Sequence, residues 1–345
     1  MMFAAALVLG TTHSKGASQP VTITPGVPIS YLHPVALAAA PTGSRVLVCM
    51  EDGTVRIVDA KTHQTVKSLA KHLGPAYAAA WSADGLFVAT GDETARIFIE
   101  SAVSGAKIRE YRTHTKGIQK LSFNVTRQYL LSTGKDDQIN VYDLNKPTTK
   151  EVRKFLGKGA NFYGATFSPT LPYAFSTGIL GPGGRTYDAV SGHQTGFLVT
   201  QNDEGVFDLG YNPAGTREVT AGKNGEACVF DARTLKKIGA LKGHQDFIMY
   251  AAFSPNGQLI ATGSTDRTVK IWNAYTYTKV AELQGQNTVG SPVVFTADGS
   301  TLATVSDSGY LQFSSLSPIQ AAVQQPAVSA RPKKHRHHSN DGRKR

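Results

Sequence analysis

Short apolar runs alternate with turn residues along most of the chain. The runs "IMYAAF", "YAAAW", "IQKLSF", "YGATF" and "SPVVF" each end at a turn. "QLIATG", "LFVATG", "YLLSTG" and "TLATV" follow, and then the alternating "TVKIW", "TVRIV", "QINVY" and "EACVF". Between them stand Asn256-Gly257, Asp84-Gly85 and Asp298-Gly299. Runs of four to six residues separated by such dipeptides read as strands joined by hairpins. No stretch sustains a helical period, so the pattern predicts an all-β chain.

The runs come in groups of four, and the group recurs. Trp272 has counterparts at Val58, Phe98, Tyr142, Tyr187, Phe230 and Phe313, at intervals of 40 to 45 residues. A second landmark keeps step with the first. His244 lies 11 residues before the turn at Pro255, and the same count leads back to Ser30, His72, His114, Lys158, Asn202 and Gln286. A period of this size with four strands per unit signals a β-propeller. One such sheet cannot cover both of its apolar faces, whereas seven packed radially cover one another. The expected fold is therefore all-β, a seven-bladed β-propeller of four-stranded antiparallel blades spanning residues 19–317, as a monomeric ring. The last copy ends at Phe313 and lacks an outer strand. "PVTITPGVPIS" (Pro20 to Ser30) stands ready to supply it from the front of the chain, and the competing latch is "PIQAAVQQ" after Ser317. Val, Ile and Thr favour strands more than Ala and Gln do, which selects the N-terminal segment.

The sixth copy, Gly243 to Ala274, contains "GH", "AFSPNG", "LIATGSTD" and "VKIWN". In these residues it resembles the WD-repeat propellers, in which a blade ends in Trp-Asp. The resemblance covers roughly Pro20 to Ser317, with the other copies matching by spacing and turn chemistry. It implies a buried hydrogen-bonded chain in a blade: His244, Thr262 or Ser264, Asp266 and Trp272 in the sixth, and His114, Thr133, Asp136 and Tyr142 in the third. The second offers His72, Thr90, Asp92 and Phe98. A buried carboxylate needs donors to offset its desolvation, and an imidazole N–H and a hydroxyl supply them. His beside Asp also invites a catalytic reading, but a set that recurs from blade to blade is structural. The fourth copy departs from the pattern: no Asp follows Thr177, and Gly181, Pro182, Gly183 and Gly184 occupy the turn and the start of the next strand. Pro and Gly weaken a ladder, so that blade is expected to be the loosest. Its turn reads either as a mobile recognition loop or as a decayed repeat.

The leading functional reading is a non-catalytic scaffold for protein–protein interaction through the top face around the central channel. The resemblance points to His33, Pro75, Gly117, Asn161, Gly205, Phe247 and Val289, three residues beyond the His position. Tyr77, Tyr163 and Met249 follow two positions further along. The partner-binding candidates are His33, Asn161, Phe247, Tyr77, Tyr163 and Met249, since aromatic groups ringed by polar ones make anchors. The alternative is a propeller enzyme of lactonase, phytase or dehydrogenase type. That class needs carboxylates or His converging on the channel, and these positions supply only His33. No catalytic residue, metal or cofactor is expected: no Cys/His pair has metal spacing and no Gly-rich phosphate loop opens a helix.

The ends change the picture in two places. The chain has 345 residues and a formal net charge of +11. Arg331, Lys333, Lys334, Arg336, Arg343, Lys344 and Arg345, against Asp341, give the last 15 residues a net +6. Residues 318–345 read as a Pro/Ala/Gln linker and a basic disordered tail. Its readings are attachment to nucleic acid, an anionic membrane or a cell-wall or other anionic polymer, or solubilisation; His335, His337 and His338 lack a scaffold for a metal. At the front, "MMFAAALVLG" and the small residues before Gln19 resemble a secretory signal without its basic lead-in. Residues 1–18 are thus read as an apolar leader pointing to an extracytoplasmic location, with a disordered or docked N-terminus and a cytoplasmic location as the alternative. Asn124-Val125-Thr126 has the pattern of a glycosylation acceptor. Cys49 and Cys228 fall in blades too far apart for a disulfide. No window approaches 18 apolar residues, so no integral membrane span is expected.

Overall fold

The computed structural model describes residues 21–22, 29–157, 159, 162–171, 174–179, 183–199, 205–287 and 292–320. The apolar leader and the basic tail lie outside them, as do Asn161, Val289, Gly181 and Pro182. Seven antiparallel sheets, each four strands deep, form the ring. Blade one runs from its inner strand Pro34–Ala39 to its outer strand Thr65–Ser68, and blade two from Ala78–Trp81 to Lys107–Tyr111. Blades three and four run from Ile118–Phe123 to Arg153–Leu156 and from Phe162–Phe167 to Gln194–Leu198. Blades five and six run from Val206–Tyr211 to Lys237–Lys242 and from Ile248–Phe253 to Lys279–Gln284. Blade seven starts at Val294–Phe295. Each inner strand packs on the next, and the seventh packs on the first.

The ring is latched from the front of the chain. Ile29–Leu32 is the outer strand of blade seven, antiparallel to Tyr310–Ser315. Val21–Thr22 adds a fifth strand to blade six, parallel to Lys279–Gln284, so one short segment staples two blades. The competing latch forms no strand among the described residues. Ser317–Gln320 is a helical turn instead, and it buries Leu316 and Ile319 against Leu259, Val293 and Phe295. The packed structure thus runs past Ser317 as far as the buried Ile319.

Packing between blades explains the period. All seven landmark positions, from Val58 to Phe313, are buried in the third strand of a blade. Five of the seven inner strands share a further feature: register slips near their start, between Pro34/Ala36, Ile118/Lys120, Phe162/Ala165, Val206/Asp208 and Ile248/Tyr250. A bulge re-aims side chains, and these stand at the mouth of the channel.

Blade four has four strands despite its glycines. A Cβ on Gly184 would lie 2.9 Å from the Thr177 carbonyl oxygen, so close backbone approach requires glycine there. Cys49 and Cys228 are free, buried thiols. No helix among the described residues is long and apolar enough to cross a membrane.

Candidate functional site

Two polar arrangements compete for the role of site, and burial separates them. In blade six His244 Nδ1 meets Asp266 Oδ2 at 2.8 Å and Nε2 meets Thr262 Oγ1 at 2.7 Å. Trp272 Nε1 donates to the same hydroxyl at 2.9 Å. Of the two hydroxyls considered there, Thr262 joins the chain. Ser264 Oγ instead donates to the Asp246 carbonyl and accepts from the Asp266 N–H. Burial by itself would raise the Asp266 carboxyl. The Thr268 hydroxyl, the Gln245 N–H and His244 outweigh it and hold the group well below the usual carboxylate range. Burial pushes His244 down, against the pull of Asp266, which keeps the ring neutral.

Blade three corrects the sequence reading by one residue. His114 Nδ1 lies 2.8 Å from Asp136 Oδ1, but Nε2 meets Ser132 Oγ at 2.6 Å, not Thr133. Ser132 also lies 3.2 Å from the Tyr142 hydroxyl. Thr133 sits on the opposite face of the strand and donates to the Tyr163 carbonyl at 2.6 Å. Successive strand residues point to opposite faces, so a one-residue error exchanges the two roles. In blade two His72 bonds Asp92 and Thr90, and the ring of Phe98 stacks on it at 4.2 Å where blade six has the indole. The side chains of all three histidines are 0% exposed, so no substrate reaches these His–Asp pairs.

The channel mouth is open. A cavity of about 350 Å³ is lined by Tyr77, Gln119, Lys120, Tyr163, Phe207, Asp208, Met249 and Tyr250, with Lys135 at its rim. A second cavity of about 290 Å³ shares Tyr77, Gln119, Lys120, Asp208 and Tyr250 with it and continues along the inner strands. Three rings make an arc: Tyr163 meets Phe207 edge to face at 5.2 Å, and Phe207 meets Phe247 at 5.8 Å. Lysines ride on the rim aromatics, Lys135 over Tyr77 at 5.1 Å and Lys223 over Phe247 at 5.8 Å. At the shared boundary Lys120 Nζ from blade three reaches Asp208 Oδ1 of blade five, 2.8 Å away across the channel. Burial, reinforced by the Asp208 charge, pushes the Tyr250 phenol up, so it stays neutral.

The structure brings Tyr77, Tyr163 and Met249 together around this cavity, with Phe247 38% exposed beside them. His33 lines neither cavity; it stands in the left-handed region at φ 57° and faces Glu51 at 3.8 Å. Asn161 and the basic tail residues lie outside the described residues. Sequence reasoning passed over Phe207 and Gln119, although the count that singled out Tyr77, Tyr163 and Met249 lands on both. It had no signal for Lys120 and Asp208, 88 residues apart. Among the described residues no three His, Cys, Asp or Glu side chains converge as a metal ion would need.

The ring of seven four-stranded blades, with His–Asp pairs buried at matching positions, defines a WD-repeat type of propeller. The family model described as "WD domain, G-beta repeat" matches residues 105–143 and 235–273, the stretches that end in the third strands of blades three and six. The chain is a seven-bladed β-propeller in which two blades match the WD repeat. It is similar to the WD repeat-containing protein srw1 of Schizosaccharomyces pombe, 26% identical over 66% of this chain and 41% of the relative. It is also similar to meiotic fizzy-related protein 1 of that organism, 26% identical over 66% of this chain and 54% of the relative. Cleavage stimulation factor subunit 50 of Arabidopsis thaliana is 27% identical over 56% of this chain and 49% of its own length. The chain spans about half the length of the relatives it matches.

Proposed function

We propose that this protein is a non-catalytic scaffold that holds a protein partner at the top mouth of its channel. The observation that carries the reading is the aromatic arc of Tyr163, Phe207 and Phe247 beside an open cavity, while every described His–Asp pair is buried. Rings held in place by their neighbours lose little freedom when a partner covers them, and they bury large areas. The cavity takes one bulky side chain of an inserted segment, and the lysines on Tyr77 and Phe247 form a polar rim. The names of the relatives, among them fizzy-related proteins and a cleavage stimulation factor subunit, supply no partner for this chain. Attachment to nucleic acid or another anionic polymer is a second reading, carried by the net +6 of the last 15 residues.

One capture experiment separates the two. Baits would be the intact chain, a chain ending at Ala330, Phe207→Ala and Phe247→Ala, each incubated with native extract. The ring partner should survive tail removal and physiological salt, and weaken by about 2 kcal/mol or more when either phenylalanine is truncated at a hot spot. Partners retained through the tail should instead fall away steeply as salt rises, because phosphate binding releases counterions. A chain that loses every partner with its tail, and none with its phenylalanines, overturns the scaffold reading.

A further inference from the structure

The outer strands of the blades are sheet edges, and an edge presents unpaired backbone groups to any other strand. Blade six demonstrates that edges of this ring accept one, since Val21–Thr22 lies along its outer strand. Most of the other edges are guarded. Val66 stands beside Lys67, Ile108 between Lys107 and Arg109, Leu156 near Lys154, and Ile238 beside Lys237, so each exposed apolar residue has a cation within two positions. Lysine on an edge is a deterrent because pairing would desolvate it or set it against another charge. The outer strand of blade four, Gln194–Leu198, has no charged residue, and Val199 continues it. It ends its sheet, and it exposes Phe197 at 57% and Val199 at 66%. Ile29–Leu32 and Val21–Thr22 are uncharged edge strands too, but the register of the first slips within four residues, leaving two paired positions, and the second is two residues long. In blade four the slip falls at Thr195, before the exposed pair.

We propose that two copies of this chain associate through the blade-four edges, Gln194–Leu198 pairing antiparallel with its own counterpart. About a two-fold axis an edge meets itself reversed, so each residue type faces the same short set of residues. The edges of blades one, three and five carry only cations and would set like charges against one another, and on the blade-two edge Glu110 is already paired with Lys107 and Arg112. The blade-four edge sets Gln, Thr, Phe and Leu against the same, which makes it self-complementary. Pairing joins two blades into an eight-stranded sheet and covers Phe197 and Val199 from both sides. It departs from the single ring expected from the sequence, and it leaves both channel mouths free.

Sedimentation of the full chain over a rising concentration series at physiological salt tests this. The mass should climb from one chain toward two and stop there. Phe197→Lys and Val199→Lys, both at exposed positions, should each keep the wild-type melting curve and stay at one chain throughout. Ile238→Lys, on the blade-five edge, should dimerise as the wild type does. A wild-type chain that remains single at every concentration overturns the proposal. So does a dimer that survives both blade-four substitutions, or one that Ile238→Lys also abolishes.

Discussion

In blade six a polar chain runs through the sheet from Asp266 through His244 and Thr262 to Trp272. At the same place in blade four, rings pack on rings. Phe175 stacks with Tyr187 at 5.5 Å, and Phe155 and Phe167 meet Phe175 edge-on at 5.3 and 5.9 Å. Both fill the space between strands, one with a fully partnered polar network and one with dry aromatic contact. The family model matches stretches ending in blades that use the first solution. A WD signature therefore reports one way of filling a blade, and a blade that lacks it is not thereby empty. The contrast extends to carboxyls. Asp266 has donors on both oxygens, whereas Glu218, fully buried where blade five meets blade four, has the Ser176 hydroxyl at 3.1 Å on one oxygen and no partner on the other.

The largest effect should come from truncating the rings themselves. Trp272→Ala and Phe175→Ala should each cost about 3–5 kcal/mol, read as a drop in urea midpoint at constant slope. If Phe175→Ala unfolds like the wild type, the aromatic packing of blade four contributes little and the equivalence of the two blades fails.

The Glu218 carboxyl comes next. Burial pushes it up to about 8, with the Ser176 hydroxyl pulling partly the other way, against about 4.3 in an unfolded chain. Between those values the folded state holds a proton that the unfolded state has lost. Stability is fully present below the lower value and is lost as pH rises through the upper one. Glu218→Gln should remove that slope and stabilise the ring by roughly 2–4 kcal/mol near pH 9. Parallel stability–pH curves for the two proteins would sink the argument.

Blade six should respond in the opposite direction. Asp266 is held below its ordinary value, so its contribution is present above about 3.9 and is lost in acid. His244 is also held down, which adds a loss that begins as pH falls below about 6.5. Asp266→Ala should cost about 1–3 kcal/mol at neutral pH by orphaning buried donors. It should also flatten the acid limb of the curve, and a variant with an unchanged acid limb would contradict the assignment.

The smallest effect sharpens the comparison most. The Tyr142 hydroxyl in blade three is 2.6 Å from Thr113 Oγ1 and 3.2 Å from Ser132 Oγ. Tyr187 in blade four packs through its ring. Tyr142→Phe should cost about 1 kcal/mol, and Tyr187→Phe should stay within about 0.5 kcal/mol of wild type. Equal losses in thermal melts would mean that blade four depends on polar contacts after all.

The ring, its blade count and its closing strand were all readable along the chain. Each blade buries its third-strand landmark for the same reason, and repetition of one cause at a constant spacing is visible without coordinates. The His and Asp partners were readable because they hang on turns at constant offsets. The hydroxyl between them was not: Ser132 and Thr133 have the same chemistry, and only the pleat decides which one faces His114. The bulges that aim Tyr163, Phe207 and Met249 at the mouth leave no mark in composition, although Phe207 was within reach of the count that found the other two. Lys120 and Asp208 are the clearest case of what tertiary structure alone decided. They belong to non-neighbouring blades, and nothing in either local segment refers to the other. Closing the ring brings their charged ends within 2.8 Å, where burial of Asp208 calls for a cation.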